Sequence, residues 1–202
     1  NEVYLFDPMT EKVTAFAKEH GCQVSATTAE LIEAVDTVLL AVKRNVIESV
    51  LQENKALITT KKPLLISIAA GTPLKKLANF LQTDEEVPMI RVMPNVNAMI
   101  GEGAAAICGN AFASKEQILT VVALFESVGS AWELPEKDFS NFTALAGSSP
   151  AYAYLFIDSI ARAGVKHGLL KELCDRIVDQ AVLGSAKMIL EGKQKPWTLL
   201  DR

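Results

Sequence analysis

Hydrophobic and polar positions change period repeatedly along this chain. Up to about Pro135, short β-rich apolar runs are followed by stretches whose apolar residues recur at helical spacing, the pattern of βα units on a parallel sheet. Val3 to Phe6 predicts a first strand, closed by Asp7-Pro8. Val13, Phe16, Ala17 and His20 then fall at i, i+3, i+4 and i+7 of a helix. Cys22 to Ser25 reads as a short second strand, and Thr28 as the cap of a helix through Leu31, Ile32 and Val35. The run Thr37 to Val42 predicts a strand covered on both faces, and it stops abruptly at Lys43-Arg44.

The next unit repeats this grammar. Leu64 to Ile68 is a buried strand, Ala69-Ala70-Gly71 a turn of small residues, and Thr72-Pro73 a cap followed by proline at the first helical position. Ile90-Arg91-Val92 is another strand, broken by Met93-Pro94-Asn95. Ala104 to Cys108 predicts one more. Ser114 and Gln117 form a capping box ahead of Ile118, Val121, Val122 and Phe125 on one helical face, and Gly129 to Leu134 completes the sheet.

Beyond Pro135 the strand pattern disappears. Helices are predicted over about 136–145, from Ser149-Pro150 to about His167, and over about 171–190. In the middle one, Tyr152, Leu155, Phe156 and Ile160, together with Ala151, Tyr154 and Ile157, cover more than one face, which predicts a mostly buried helix. The last carries a narrow stripe with Ala181, Gly184 and Ser185. Glycine in mid-helix costs roughly 1 kcal/mol against alanine, a cost that close packing on another helix, of this subunit or of a second one, would offset. The fold class is therefore α/β: a Rossmann-type, mostly parallel sheet domain over 1–134, followed by an all-α domain over 135–202.

Composition narrows the function. The 202 residues carry 20 Lys+Arg against 24 Asp+Glu, a net charge of −4, leaving no cationic surplus to neutralise a phosphate backbone, so nucleic acid is not expected as a partner. The apolar run Ala151 to Ile157 is far shorter than the roughly 20 residues of a membrane span, so no bilayer crossing is expected either. Cys22, Cys108 and Cys174 are odd in number and widely spaced, and read as reduced core thiols with no disulfide framework and no metal site. With no targeting segment ahead of the first strand, a cytoplasmic protein is expected. The ends, Asn1 and Asp201-Arg202, read as cuts in a longer protein. His20 and His167 lack any nucleophile context and are read as structural, and Asp158, Asp175 and Asp179 as solvated or interhelical charges.

Candidate chemistry follows from where ligands bind in open α/β sheets, at the carboxyl ends of the strands. Ala41-Val42-Lys43, Ala69-Ala70-Gly71 and Met93-Pro94-Asn95 each lie just past a predicted strand and should line one edge. Their small residues allow a flat ring or ribose to approach the backbone. Lys43 would bring an ammonium to a cofactor phosphate or a substrate carboxylate, or else open a helix in solvent. Asp7, after its strand, suits the ribose hydroxyls of a dinucleotide and repels the phosphate that distinguishes NADP from NAD; its other role is to cap the helix after Pro8. Glu136 opens the helical part where it could face the sheet edge, or serves as a first-turn acid.

Taken together, Ala41-Val42-Lys43, Ser67-Ile68-Ala69-Ala70-Gly71, Arg91 to Asn95, Ala146-Gly147-Ser148-Ser149-Pro150-Ala151-Tyr152 and Gly184-Ser185-Ala186-Lys187-Met188 resemble the 1-pyrroline-5-carboxylate reductase family of proline biosynthesis, in order and spacing over almost the whole chain. The resemblance implies an NADPH- or NADH-dependent oxidoreductase that transfers hydride to the cyclic imine of pyrroline-5-carboxylate, giving L-proline. It also implies homodimers through the helical domain, assembled further into decamers. Carried over by position, Ala41, Val42, Lys43, Ala69, Ala70 and Gly71 would border the cofactor, with Thr28 and Asp7 toward the adenosine end. Asn95 would lie near the nicotinamide, and Glu136 near the substrate. Lys43 and Glu136 are the only candidates for a catalytic part. The family's glycine-rich phosphate loop and its Ser-Pro-Gly-Gly-Thr-Thr substrate loop are expected beyond the two ends of this chain. Asp7, where many relatives have a small or polar residue, tilts the expectation toward NADH.

Two other readings compete. Dehydrogenases of the 3-hydroxyacid and 6-phosphogluconate type share the sheet-then-helices plan, but they place a lysine on the helix after the interdomain glycines, and 147–163 contains none. The other is a non-catalytic dinucleotide-binding or oligomerisation module.

Overall fold

The computed structural model describes residues 2–192 and 195–200 and falls into two compact units, Asn1–Gly147 and Ser148–Arg202. The terminal residues read as cuts, Asn1 and Asp201-Arg202, lie outside the described residues. In the first unit β1 (Tyr4–Leu5), α1 (Thr10–His20), β2 (Gln23–Val24) and α2 (Thr28–Ala34) come first, with β1 and β2 paired in parallel as a sheet of their own. Next come β3 (Thr37–Leu40), α3 (Ile47–Glu53), α4 (Lys55–Lys61), β4 (Leu64–Ser67), α5 (Leu74–Leu81) and β5 (Met89–Pro94). A 3-10 turn over Val96–Ile100 leads to β6 (Gly103–Gly109), α6 (Lys115–Glu126) and β7 (Gly129–Glu133). A second 3-10 turn (Glu136–Asp138), α7 (Phe139–Phe142) and a π-helical turn (Thr143–Gly147) end the unit.

The main sheet runs β3-β4-β5-β6-β7. Neighbours are parallel except β5 and β6, which pair antiparallel from Ile90 opposite Gly109 to Pro94 opposite Ala105. This reversal is possible because the chain between them is short and needs no crossover helix. Strand pleat sends successive side chains to opposite faces, and the core divides accordingly. Leu65, Met89 and Met93 join Ile32, Ile47, Leu51, Ile58, Leu77 and Leu81 on one face. Leu64, Ile66, Ile90 and Val92 join Val121 of α6 on the other. Full burial of each such aliphatic side chain is worth about 1.5–3 kcal/mol, so helices on both faces hold the sheet.

Several local expectations are revised. Strand β3 lies at the end of the main sheet and alternates, with Val38 and Leu40 buried and Thr37 and Leu39 exposed, so it is covered on one face only. The cap of α2 is Thr27, whose Oγ1 accepts from Glu30 N at 3.1 Å, which makes Thr28 the first helical residue. Helix α5 begins one residue later than Thr72-Pro73 suggested, with Pro73 at the cap position. The segment after Lys43-Arg44 folds into α3 and α4, joined at Asn54, whose Nδ2 donates to the Val50 carbonyl at 2.8 Å. Ile47, Leu51 and Ile58 carry their apolar face.

A close backbone approach starts β7. A Cβ on Gly129, whose φ is 147°, would lie 2.1 Å from the Gly103 carbonyl oxygen, so only glycine lets β6 and β7 begin their pairing there.

The second unit consists of α8 (Ser149–Lys166), α9 (Lys171–Gly192) and α10 (Pro196–Leu200). Helices α8 and α9 pack through Ala161, Cys174 and Val178, with Ile157 and Val182 alongside. They approach closely at Gly164, where an added Cβ would sit 2.6 Å from Cys174 Sγ. Asp158 binds Arg162 and reaches Lys171 at 3.4 Å. These partners hold the Asp158 carboxyl below its usual range. The expected burial of α8 is not met within this unit: Tyr152, Tyr154, Leu155, Phe156 and Ile160 are exposed. Gly184 on α9 meets nothing within contact distance of its missing Cβ, so the small-residue stripe is not used for packing among the described residues.

Candidate functional site

Because β3, β4 and β5 are adjacent and parallel, their carboxyl ends emerge along one edge of the sheet. That edge carries Ala41-Val42-Lys43, Ala69-Ala70-Gly71 and Asn95, the segments singled out in the sequence. Ala41, Val42, Lys43, Ala70 and Gly71 are exposed there, whereas Ala69 is buried. Gly71 takes φ 70°, a left-handed conformation that favours glycine, and its open side faces Arg44, whose Nη1 lies 3.3 Å from where a Cβ would be. Arg44, directly after the first segment and marked in the sequence only as the stop of its strand, therefore lies beside the second. Its adjacency to the expected Lys43 was the available signal.

The turn after β4 is held locally and from afar. Ala69 N donates to Ser67 Oγ at 3.3 Å. Leu74 N, at the start of α5, donates to Glu136 Oε1 at 2.8 Å, and Arg91 Nη1 donates to the same oxygen at 3.0 Å. Arg91 is nearly buried, and its guanidinium lies 4.5 Å from the centre of the Phe139 ring, a cation–π contact. Thr72 is buried too, and its Oγ1 has no partner among the described residues. Strand pairing sets Cys108 opposite Arg91. Burial, and then the nearby Glu136 carboxylate, push the Cys108 thiol up to about 12, against a smaller opposing pull from Arg91. Cys108 is thus a protonated core thiol and no nucleophile at neutral pH.

Asn95 is fixed by the backbone on both sides. Its Oδ1 accepts from Ala104 N and its Nδ2 donates to the Ala146 carbonyl, both at 3.0 Å. Its side chain ties the end of β5 to β6 and to the π-helical turn.

Asp7 and Thr28 follow the carboxyl ends of β1 and β2, which are not hydrogen-bonded to the main sheet. Asp7 is exposed, and its Oδ1 accepts from Met9 N at 2.7 Å, a local turn that leaves its other oxygen uncommitted among the described residues. Thr28 is half-buried.

The edge suits a dinucleotide. Exposed small residues at Ala41, Ala70 and Gly71 let a flat group reach the backbone, and a side chain at Gly71 would enter the space that Arg44 occupies. Among the described residues no three His, Cys, Asp or Glu side chains converge as a metal site, and no helix is long and apolar enough to cross a membrane.

Comparison with known proteins agrees with this geometry. A family model described as pyrroline-5-carboxylate reductase dimerisation matches residues 136–202, and one described as NADP oxidoreductase, coenzyme F420-dependent, matches residues 1–71. Pyrroline-5-carboxylate reductase of Aquifex aeolicus is 37% identical over 200 residues, 99% of this chain and 73% of that protein. The crystal structure of 1-pyrroline-5-carboxylate reductase from Streptococcus pyogenes shares 38% identity and superposes with a TM-score of 0.85, covering 99% of this chain and 74% of that one. Pyrroline carboxylate reductase from Plasmodium falciparum with NADP bound gives 34% identity and a TM-score of 0.79, covering 89% and 67%. With its strand ends arranged as a dinucleotide edge and its likeness to these proteins running nearly end to end, this chain belongs to the pyrroline-5-carboxylate reductase family.

Proposed function

We propose that the protein reduces 1-pyrroline-5-carboxylate to L-proline with NAD(P)H. The carrying observation is the common edge formed by the ends of β3, β4 and β5, lined by exposed small residues, in a chain of this family. When bound, the reduced nicotinamide supplies a hydride to the imine carbon, and the ring nitrogen keeps its proton as the amine of proline. A protonated imine accepts hydride readily, so the protein's task is to hold donor and acceptor in contact and to exclude water. Ala41, Val42, Lys43, Ala69, Ala70, Gly71 and Asn95 border the cofactor in this reading, with Asp7 and Thr28 toward its adenosine end. Asn95 acts by shaping the backbone at the end of β5, since both ends of its amide are engaged.

The helical part, 135–202 in this reading, carries self-association. The dimerisation family model over 136–202 and the exposed apolar face of α8 support it. Further assembly to decamers belongs to the same proposal, as does a cytoplasmic setting, which the free thiols Cys22, Cys108 and Cys174 suit.

Cofactor choice turns on Asp7, whose uncommitted oxygen repels the phosphate of NADPH. Oxidation of NADH and of NADPH is followed with pyrroline-5-carboxylate as acceptor. Turnover is expected of the complete protein, with the glycine-rich and Ser-Pro-Gly-Gly-Thr-Thr loops present, with NADH preferred and with Asp7→Ser shifting the ratio toward NADPH. No turnover on the imine, alongside activity on a hydroxyacid, overturns the reductase reading; an unchanged cofactor ratio in Asp7→Ser limits Asp7 to its local turn.

A further inference from the structure

We infer that Glu136 is a positioning residue that clamps the cofactor edge, holding the Ala69–Gly71 turn in place by joining the start of α5 to Arg91 of β5. Three elements far apart in sequence meet at one carboxylate oxygen. Leu74 N, 62 residues from Glu136, and Arg91 Nη1, 45 residues away, both donate to Oε1 at 2.8 and 3.0 Å. Leu74 follows the Ala69–Gly71 turn by three residues, so fixing its amide fixes the exit of that turn. The entrance is already fixed by Ser67 in β4, whose Oγ accepts from Ala69 N. Between the two anchors Gly71 stands in its left-handed conformation, and Thr72 is fully buried.

The arrangement has the chemistry of a rigid fixture. The first backbone amides of a helix lack partners within the helix and favour an anion. At α5 that anion is Glu136, because Pro73 at the cap position has no side-chain acceptor of its own. Arg91 is unable to shift to another partner cheaply, being buried against Phe139 and fixed in the middle of β5. An ion pair in which one member is nearly buried and the geometry is fixed holds position better than a surface pair does. Release of Glu136 would strand the Arg91 charge and leave the α5 amide open, loosening the turn whose exposed face, Ala70-Gly71, borders the cofactor.

This inference rests on the reductase reading for its effect on turnover, but its structural part stands separately. The test compares Glu136→Ala and Glu136→Gln with the unaltered chain. Gln keeps an Oε1 acceptor for both Leu74 N and Arg91, while Ala removes it. Amide hydrogen exchange is measured at Leu74 and across 69–71 without any cofactor, and KM for NADH and for pyrroline-5-carboxylate is measured together with kcat in the protein as it exists. Loss of a hydrogen bond to a charged group predicts about tenfold faster exchange at Leu74 in Glu136→Ala and a similar rise in KM for NADH, with kcat changed about twofold or less and Glu136→Gln, which keeps the acceptor but not the charge, between Glu136→Ala and the unaltered values. If Glu136→Ala fails to fold, Glu136→Asp, shorter by one methylene, takes its place in the comparison. Unchanged exchange at Leu74 overturns the clamp whatever the turnover. A rise confined to KM for pyrroline-5-carboxylate overturns it too, since Glu136 would then be touching substrate. Absence of turnover in the unaltered protein defeats the reductase reading and leaves the exchange result to decide the clamp.

Discussion

The two units satisfy their apolar surface in opposite ways. In the first, both sheet faces are covered by helices, and Ile66, Ile90, Val92 and Ile107 are almost entirely shielded within the unit. In the second, the core between the two long helices comprises, among the described residues, Ala161, Cys174 and Val178, and Tyr152, Leu155, Phe156, Ile177 and Leu183 are exposed. One unit is finished as a folding body and builds a ligand edge from its strand ends. The other leaves large apolar side chains of both long helices open to solvent. The two regions thus differ in their ratio of core to surface.

The largest effect should come from the finished unit. Ile90→Ala, in a strand packed on both faces, is expected to cost about 2–5 kcal/mol by lost burial and residual cavity, read from denaturant unfolding. Leu155→Ser on the exposed face of α8 is its counterpart: it should leave the unfolding of the dissociated chain within about 0.5 kcal/mol and weaken association in sedimentation at micromolar concentration. Equal costs for the two substitutions would erase the contrast drawn here.

A smaller effect sharpens the picture inside the helical unit. Gly164→Ala should destabilise it by about 1–3 kcal/mol through overpacking, because the new methyl meets Cys174 Sγ at 2.6 Å. Cys174→Ala should relieve most of that cost, and non-additivity in the double-mutant cycle measures the contact. Gly184→Ala has open space around it and should instead gain helix propensity in the dissociated chain.

The remaining effect is electrostatic and is seen only at high pH. Cys108 has a thiol raised from its ordinary 9.0 to about 12, so the folded state keeps a proton that the unfolded state begins to release above about pH 9. Its contribution to stability is complete below pH 9 and is lost as pH climbs toward 12. Relative to Cys108→Ala, the unaltered chain should therefore lose stability across that window and show a constant difference below it. A flat difference up to pH 12 would mean that Cys108 is less enclosed than its neighbours Arg91 and Glu136 suggest.

Much of the edge was legible in the sequence because its causes are local. Leu64 to Ile68 and Ile90 to Val92 are mostly apolar, interrupted by Ser67 and Arg91, as suits strands covered on both faces, and the small or chain-breaking residues after them mark where each strand stops. Strand direction is not written locally, and nothing in Ala104 to Cys108 announces that β6 runs against β5. The partners of Glu136 were equally hidden: its place facing the sheet edge was legible, but Leu74 and Arg91 look like ordinary core positions until the fold brings them to it. The exposure of α8 could not be read from its periodicity, because a helix apolar on several faces looks the same whether its cover comes from its own chain or from elsewhere.

The single antiparallel junction of the main sheet gives the chain a local place to begin folding. Pairing β5 with β6 closes only residues 95–102, whereas joining β3 to β4 must wait for 41–63 to arrange α3 and α4. Loop closure is less costly for the shorter span, and contacts near in sequence form sooner. The β5–β6 hairpin would then serve as an early template, to which β4 and then β3 are added in parallel.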